Sequence, residues 1–126
     1  MNAGDTLLIN KPGTSYDSHL WIVLSDPSLG EETVIVNFTS WRADKDQACI
    51  VDKGDHPYIA HKTCVNFRDA KLCKTSSLEE LVANGGVSNH DSLSQGLLDK
   101  IRKAVPNSRM NWNCVNVLVA QGLVEL

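Results

Sequence analysis

The chain has 126 residues, of which 42% are hydrophobic and 21% charged, and its formal net charge is −3. This length and composition are typical of one globular domain with a hydrophobic core, and they exclude a disordered chain. The overall charge gives no support to a strongly basic nucleic-acid binder, and no apolar stretch approaches the length that spans a bilayer. Only residues 42–74 are net positive, with seven basic against five acidic side chains.

The number and spacing of the cysteines indicate the redox state of the cellular compartment. The four cysteines are widely spaced and form no CxxC pair: Cys49, Cys64, Cys73 and Cys114. No apolar run that could serve as a signal peptide precedes Gly4. We therefore expect a cytoplasmic protein whose thiols are reduced and buried, without disulfides and without zinc.

Residues 1–75 carry the period-two alternation of β-strands. Val34, Val36 and Phe38 fall on one face of the central strand, and β-branched residues dominate it. The predicted strands are residues 5–10, 19–25, 33–39, 48–51, 56–67 and 70–74.

After Thr75 the spacing of apolar residues becomes helical. A first helix is predicted from Ser76 or Ser77 to the Asn-Gly-Gly at 84–86, and a second from residue 91 or 92 to Val105. A third follows Asn111. The order of elements predicts a single, mainly β domain of the α+β class, with a small antiparallel barrel or sandwich (1–75) and a helical C-terminal part (76–126).

Polar side chains gather at the ends of the predicted strands. The candidates are His19, Thr39, Ser40, Arg42, His56 and His61. Cleavage of RNA at a 2′-hydroxyl needs such groups, because one imidazole can accept the hydroxyl proton and another can protonate the leaving 5′-oxygen. A guanidinium and hydroxyl donors can stabilise the charge on the phosphate oxygens. Trp41 is interpreted either as a stacking platform for a base or as a cap on the barrel.

Two simpler interpretations accompany this one. Three histidines at strand ends are also what structural roles would produce. A metal site formed by Asp55, His56 and His61 with Asp52 or Asp69 fits no standard ligand spacing, so we predict no metal and no cofactor.

Three segments resemble the start of MazF/PemK-type toxins of toxin–antitoxin pairs: residues 4–9 (GDTLLI), 19–25 (HLWIVLS) and 34–40 (VIVNFTS). In that family a Gly-Asp pair opens the first strand, an Arg-Pro pair opens an apolar strand that ends in Ser, and a later strand ends in Thr-Ser. Residues 54–61 and 66–70 are similar to small bacterial proteins of the same superfamily.

The resemblance implies an SH3-like antiparallel barrel with C-terminal helices. It further implies metal-independent cleavage of single-stranded RNA, inhibition by an antitoxin protein, and a homodimer. Thr39 and Ser40 match the family's catalytic Thr-Ser, whereas His19 stands where the family has its catalytic arginine. Because an imidazole cannot reproduce the guanidinium fork, either the mechanism is histidine-based or activity is lost.

Two hypotheses result. In the first, the chain is a toxin-like endoribonuclease whose His19 and His61 exchange protons in one exposed cleft with Thr39 and Ser40. Its predicted substrate-binding residues are Trp41, Arg42, His56 and Arg68. In the second, it is a non-catalytic SH3-like module that binds protein or nucleic acid, as the histidine in place of arginine and the negative net charge favour.

Overall fold

The described residues, 1–9 and 19–126, form one six-stranded antiparallel sheet in this computed structural model. The strands are β1 (Thr6–Ile9), β2 (Leu20–Val23), β3 (Glu32–Ser40), β4 (Ile50–Val51), β5 (Thr63–Lys74) and β6 (Val87–His90). The α-helices are α1 (Thr75–Ala83), α2 (Gln95–Ala104) and α3 (Trp112–Ala120), and short 3-10 turns cover Pro27–Leu29 and Val105–Asn107. The first predicted strand extends to Asn10, which lies outside the described residues.

The strand order is β4-β5-β3-β2-β1-β6, with β3 and β2 at the centre. The mainly β, α+β prediction is therefore confirmed. The predicted closed barrel is wrong for the part of the chain that the structure describes, because the edge strands β4 and β6 do not pair with each other. Helices cover the faces of the sheet, so it need not curl on itself to bury its apolar side chains.

Both faces of the central strands are buried, and they form two cores. On one face Ile22, Val36 and Phe38 pack in a large cluster with Ile101 of α2 and Leu118 of α3. The other face carries a smaller cluster against α1, formed by Leu7, Trp21, Val23, Ile35, Leu78 and Val87. Successive strand residues point to opposite faces, which explains why Val36 and Ile35 belong to different cores.

The C-terminal part is not purely helical, contrary to the prediction for residues 76–126. β6 pairs antiparallel with β1, with Thr6 opposite His90 and Ile9 opposite Val87. Within the described ranges, no helix is both long enough and apolar enough to span a bilayer.

β5 is one long strand where two were predicted, and residues 56–62 are a loop. Its pairing with β3 shifts in register, because Asn37 faces Asn66 whereas Ile35 faces Lys71. Val36 thus stands opposite four residues of β5, 67–70, which form a bulge. This bulge turns polar side chains of β5 away from the regular ladder.

The helix termini follow local capping with one exception. α2 and α3 begin after Ser94 and Asn111, whose side chains accept hydrogen bonds from the first turn. α1 begins at Thr75, not after Ser76 or Ser77. The Thr75 hydroxyl lies 2.7 Å from that of Thr33, which ties the helix start to β3.

Candidate functional site

Four of the residues predicted at strand ends, His19, Thr39, Ser40 and His61, meet at one end of the sheet. β3 ends at Ser40, which pairs with Thr63 at the start of β5, and His19 directly precedes β2. The loop of residues 56–62 leads into β5 at the same end. Antiparallel neighbours place the end of one strand beside the start of the next, so this meeting follows from the topology.

An open cleft of about 370 Å³ lies at this end of the sheet. Its lining is His19, Phe38, Thr39, Ser40, Tyr58, Ile59, Ala60, His61 and Thr63. We call it the histidine cleft. All four residues predicted to be catalytic, His19, Thr39, Ser40 and His61, therefore line a single cleft.

His19 is held by the backbone of β3. Its Nδ1 lies 3.1 Å from the carbonyl oxygen of Phe38, and a carbonyl can only accept a hydrogen bond. We therefore assign the proton to Nδ1. In the neutral ring, Nε2 then carries the lone pair that can accept a proton.

His61 is exposed and pairs with a hydroxyl. Its Nε2 lies 3.0 Å from Ser40 Oγ, and either atom can be the donor. Thr63 Oγ1 donates to the backbone carbonyl of His61 at 2.8 Å, which anchors this end of the loop. The cleft thus holds one imidazole fixed by a carbonyl and one fixed by a hydroxyl.

His56, predicted to bind substrate, has a structural position instead. It is buried, and its Nε2 donates to the carbonyl of Asp91. Its Nδ1 accepts the backbone N–H of Tyr58 at 3.1 Å. Both ring nitrogens are occupied, so His56 positions the loop that carries Tyr58 and does not line the cleft.

Trp41 and Arg42 also lie outside the lining of the histidine cleft. The indole of Trp41 lies under the ammonium of Lys62, 4.0 Å from the ring centroid, and its Nε1 donates to Gln47 Oε1 at 2.7 Å. Arg42 forms an exposed ion pair with Asp44, with Nε and Oδ1 3.2 Å apart.

Arg68, the remaining predicted substrate-binding residue, lines a second cleft of about 430 Å³. Its lining is Asp44, Lys45, Asp46, Asn66, Arg68, Asp69 and Arg109. We call it the arginine cleft. Arg109 comes from the segment before α3. It was not predicted as a site residue, because it is far from Arg68 in the sequence.

Sequence reasoning missed Tyr58 and Thr63 in the histidine cleft. Tyr58 is 42% exposed, and its ring makes an edge contact with that of His90 at 6.4 Å between centroids. Pro57, which marks a loop, was the available signal. Thr63 was interpreted as the interior of a strand that in fact begins there.

The alternative metal site is not assembled in the part of the chain that the structure describes. No group of three His, Cys, Asp or Glu side chains comes together there in a way that could hold an ion. His56 uses both nitrogens on backbone groups, and Asp69 accepts from the amide of Asn37 at 2.9 Å.

No protein-family model, curated protein or solved structure matches this chain.

Proposed function

We propose that this protein is a toxin-like endoribonuclease of the MazF/PemK type, which cleaves single-stranded RNA through attack of the 2′-hydroxyl and without a metal. The observation that carries the proposal is that His19 and His61 line one open cleft together with Thr39 and Ser40. Two imidazoles in one cleft supply the acid and the base that this reaction needs. An antitoxin protein and a homodimer belong to the same proposal, on the resemblance alone.

His19 acts as the general base. The carbonyl of Phe38 holds the proton on Nδ1, so Nε2 accepts the proton of the 2′-hydroxyl as the 2′-oxygen attacks phosphorus. The products of this step are a 2′,3′-cyclic phosphate and a free 5′-oxygen.

His61 acts as the general acid. In its protonated form Nε2–H donates to Ser40 Oγ, and the Ser40 hydroxyl gives its own proton to the leaving 5′-oxygen as Oγ takes the proton of Nε2. The half-buried Thr39 hydroxyl donates to a non-bridging phosphate oxygen. Because Arg42 lies with Asp44 outside the cleft lining, the negative charge is stabilised by the protonated imidazole and the hydroxyls.

The test compares a mixed-sequence single-stranded RNA with its 2′-deoxy analogue. We expect cleavage of the RNA alone, with 2′,3′-cyclic ends, because the attacking group is absent from the analogue. His19→Asn and His61→Asn should each lower the rate by about 10²–10⁴-fold. His90→Asn is the control, since His90 is exposed and does not line the cleft.

Cleavage of both substrates, or equal rates for His19→Asn, His61→Asn and His90→Asn, would reject this chemistry. One observation favours the second candidate, a non-catalytic binding module: no arginine or lysine lines the histidine cleft as described. In that case RNA stays intact in the presence of the purified protein, and His19→Ala changes binding but not RNA integrity.

A further inference from the structure

The arginine cleft combines three carboxylates with three cations, and the carboxylates are already engaged. Asp46 is buried at 7% exposure. Its Oδ1 accepts the backbone N–H of Ala48 at 2.9 Å, and its Oδ2 accepts that of Arg109 at 2.8 Å. This carboxylate therefore ties the loop after β3 to the segment before α3, and both of its oxygens are satisfied within the chain.

The other two carboxylates have partners of opposite charge or polar partners. Asp69 accepts from the Asn37 amide at 2.9 Å and from the Lys71 ammonium at 3.2 Å. Asp44 pairs with Arg42. Asp44 and Asp69 are thus paired with cations that lie outside the cleft lining, Arg42 and Lys71, and do not need the cations of the lining as partners.

Unlike two of the carboxylates, the three cations of the cleft lining form no ion pair with another described residue. The ion pairs found among residues 1–9 and 19–126 are Arg42 with Asp44 and Lys71 with Asp69. Lys45, Arg68 and Arg109 thus face the open cleft without a carboxylate partner in that part of the chain. Two guanidiniums beside one open volume are suited to bind oxyanions, because each offers a planar pair of donors to a phosphate.

The linings of the two clefts include near neighbours in the pairing of β3 with β5. Thr39, in the histidine cleft, pairs with Cys64, and Asn37 pairs with Asn66, which lines the arginine cleft. Asn66 is therefore a diagonal neighbour of Thr39, about 7–8 Å away.

We infer that the arginine cleft binds the phosphate backbone of the RNA strand beside the bond that is cleaved, with Arg68 and Arg109 as the phosphate ligands. The inference rests on the proposed function for the identity of the strand. A single-stranded polyanion fits both features of the surface: three cations without a carboxylate partner among the described residues, and a short distance to the histidine cleft. Backbone contacts of this kind hold and orient the strand and do not read its sequence.

The first test measures binding of a 12-nucleotide 2′-deoxy single strand, which cannot be cleaved, by fluorescence anisotropy over a range of salt. The variant is Arg68→Gln/Arg109→Gln. The control is Lys53→Gln/Lys103→Gln, which removes the same charge from exposed positions outside both clefts. We expect the arginine variant to bind at least 10-fold more weakly and to lose about 1.4 from the slope of log K against log salt, at about 0.7 per phosphate contact.

The second test measures cleavage, with a long RNA and a dinucleotide as substrates. For the arginine variant we expect kcat/KM to fall at least 10-fold on the long RNA and to stay unchanged on the dinucleotide, whose only phosphate is the one that is cleaved. Asp46 bonds to the backbone of Arg109, so glutamine at that position retains the structural contact.

The outcomes separate the two proposals. Arginine-dependent binding without any RNA cleavage supports the arginine cleft and rejects the endoribonuclease. Cleavage of long RNA at equal rates in the arginine and lysine variants supports the enzyme and rejects the arginine cleft as its backbone site. Equal salt slopes in both variants, or tighter arginine-dependent binding of poly-glutamate than of the oligonucleotide, would overturn the inference.

Discussion

His56 and His61 show how position decides the role of one residue type. They are five residues apart in one loop, yet His56 is 5% exposed with both nitrogens bonded to the backbone, whereas His61 is exposed. The buried ring fixes the loop that carries Tyr58, and the exposed ring faces the histidine cleft. His56 therefore stabilises the fold, whereas His61 is a candidate for the chemistry.

We expect His56→Ala to lower the free energy of unfolding by about 2–4 kcal/mol, because it leaves the Tyr58 N–H without its partner and creates a cavity. The Asp91 carbonyl loses one of two hydrogen bonds and keeps the one from Thr6 Oγ1. His61→Ala, at an exposed position, should change the free energy of unfolding by about 0.5 kcal/mol or less. Urea denaturation followed by circular dichroism measures both. Equal losses for the two variants would contradict the structural role of His56.

The four thiols are all less acidic than a free cysteine. Burial raises the pKa of Cys49, Cys64, Cys73 and Cys114. Since the thiolate is the reactive form, its fraction should rise only at a higher pH than in a free cysteine. We expect slow reaction with a thiol reagent at pH 8 in the folded protein, with the half-buried Cys73 reacting first, and rapid reaction of all four in guanidinium. A fast native reaction at Cys49 would contradict this.

At the scale of elements, Asn111 joins a helix to the bulge of β5. Its Oδ1 accepts the N–H of Cys114 at 3.0 Å and caps α3, while its Nδ2 donates to the carbonyl of Ala70 at 3.1 Å. Ser94 only caps α2, through the N–H of Leu97. One side chain thus supports both the start of α3 and the strand segment that carries Arg68.

Ser94→Ala should cost about 1 kcal/mol, the usual contribution of an N-cap. Asn111→Ala should cost about 0.5–1.5 kcal/mol more, because the hydrogen bond to the bulge is lost as well. Asn111→Asp retains the cap and loses the donor, so it should fall between wild type and Asn111→Ala. Thermal or urea unfolding of the three variants measures the order, and equal costs for the two alanine variants would argue against the second bond.

Across the whole molecule, the large core contains residues from both sides of the predicted boundary at residue 75. Val36 and Phe38 of the sheet pack in one cluster with Ile101 and Leu118 from the C-terminal helices. β6 also completes the sheet beside β1. The N-terminal strands and the C-terminal helices therefore depend on each other for burial.

We expect a fragment of residues 1–75 not to fold by itself, because both faces of its strands would be exposed to water. The full chain should unfold in a single transition by circular dichroism. Amide proton spectra of the fragment check this directly. Well-dispersed signals from the fragment would show that the strands form an independent unit.

Local patterns predicted those parts of the structure whose causes are local. The alternation of Val34, Val36 and Phe38 predicted β3, and Pro106 predicted the end of α2. β6 was missed because its residues Ser88, Asn89 and His90 are polar and are held by pairing with a strand about 80 residues earlier. An open sheet and a closed barrel share the same strand patterns, so closure could not be deduced from them.

In the candidate site, too, the features with local causes could be predicted, and those that depend on distant residues could not. His19, Thr39, Ser40 and His61 flank strands, and their meeting in one cleft was expected from that placement. The structural role of His56 depends on the carbonyl of Asp91, 35 residues away, which no local pattern reveals. The arginine cleft likewise needs Arg109 beside the bulge of β5.

The edge strands of the sheet affect how readily the protein associates with itself at high concentration. β4 has two residues, the bulge interrupts the adjoining length of β5, and β6 has four residues with Asn89 and His90 exposed. A neighbouring molecule would need a long, flat row of unpaired amides and carbonyls to add a strand. The edges of the sheet described for residues 1–9 and 19–126 are short or kinked, so we expect strand addition between molecules to be slow.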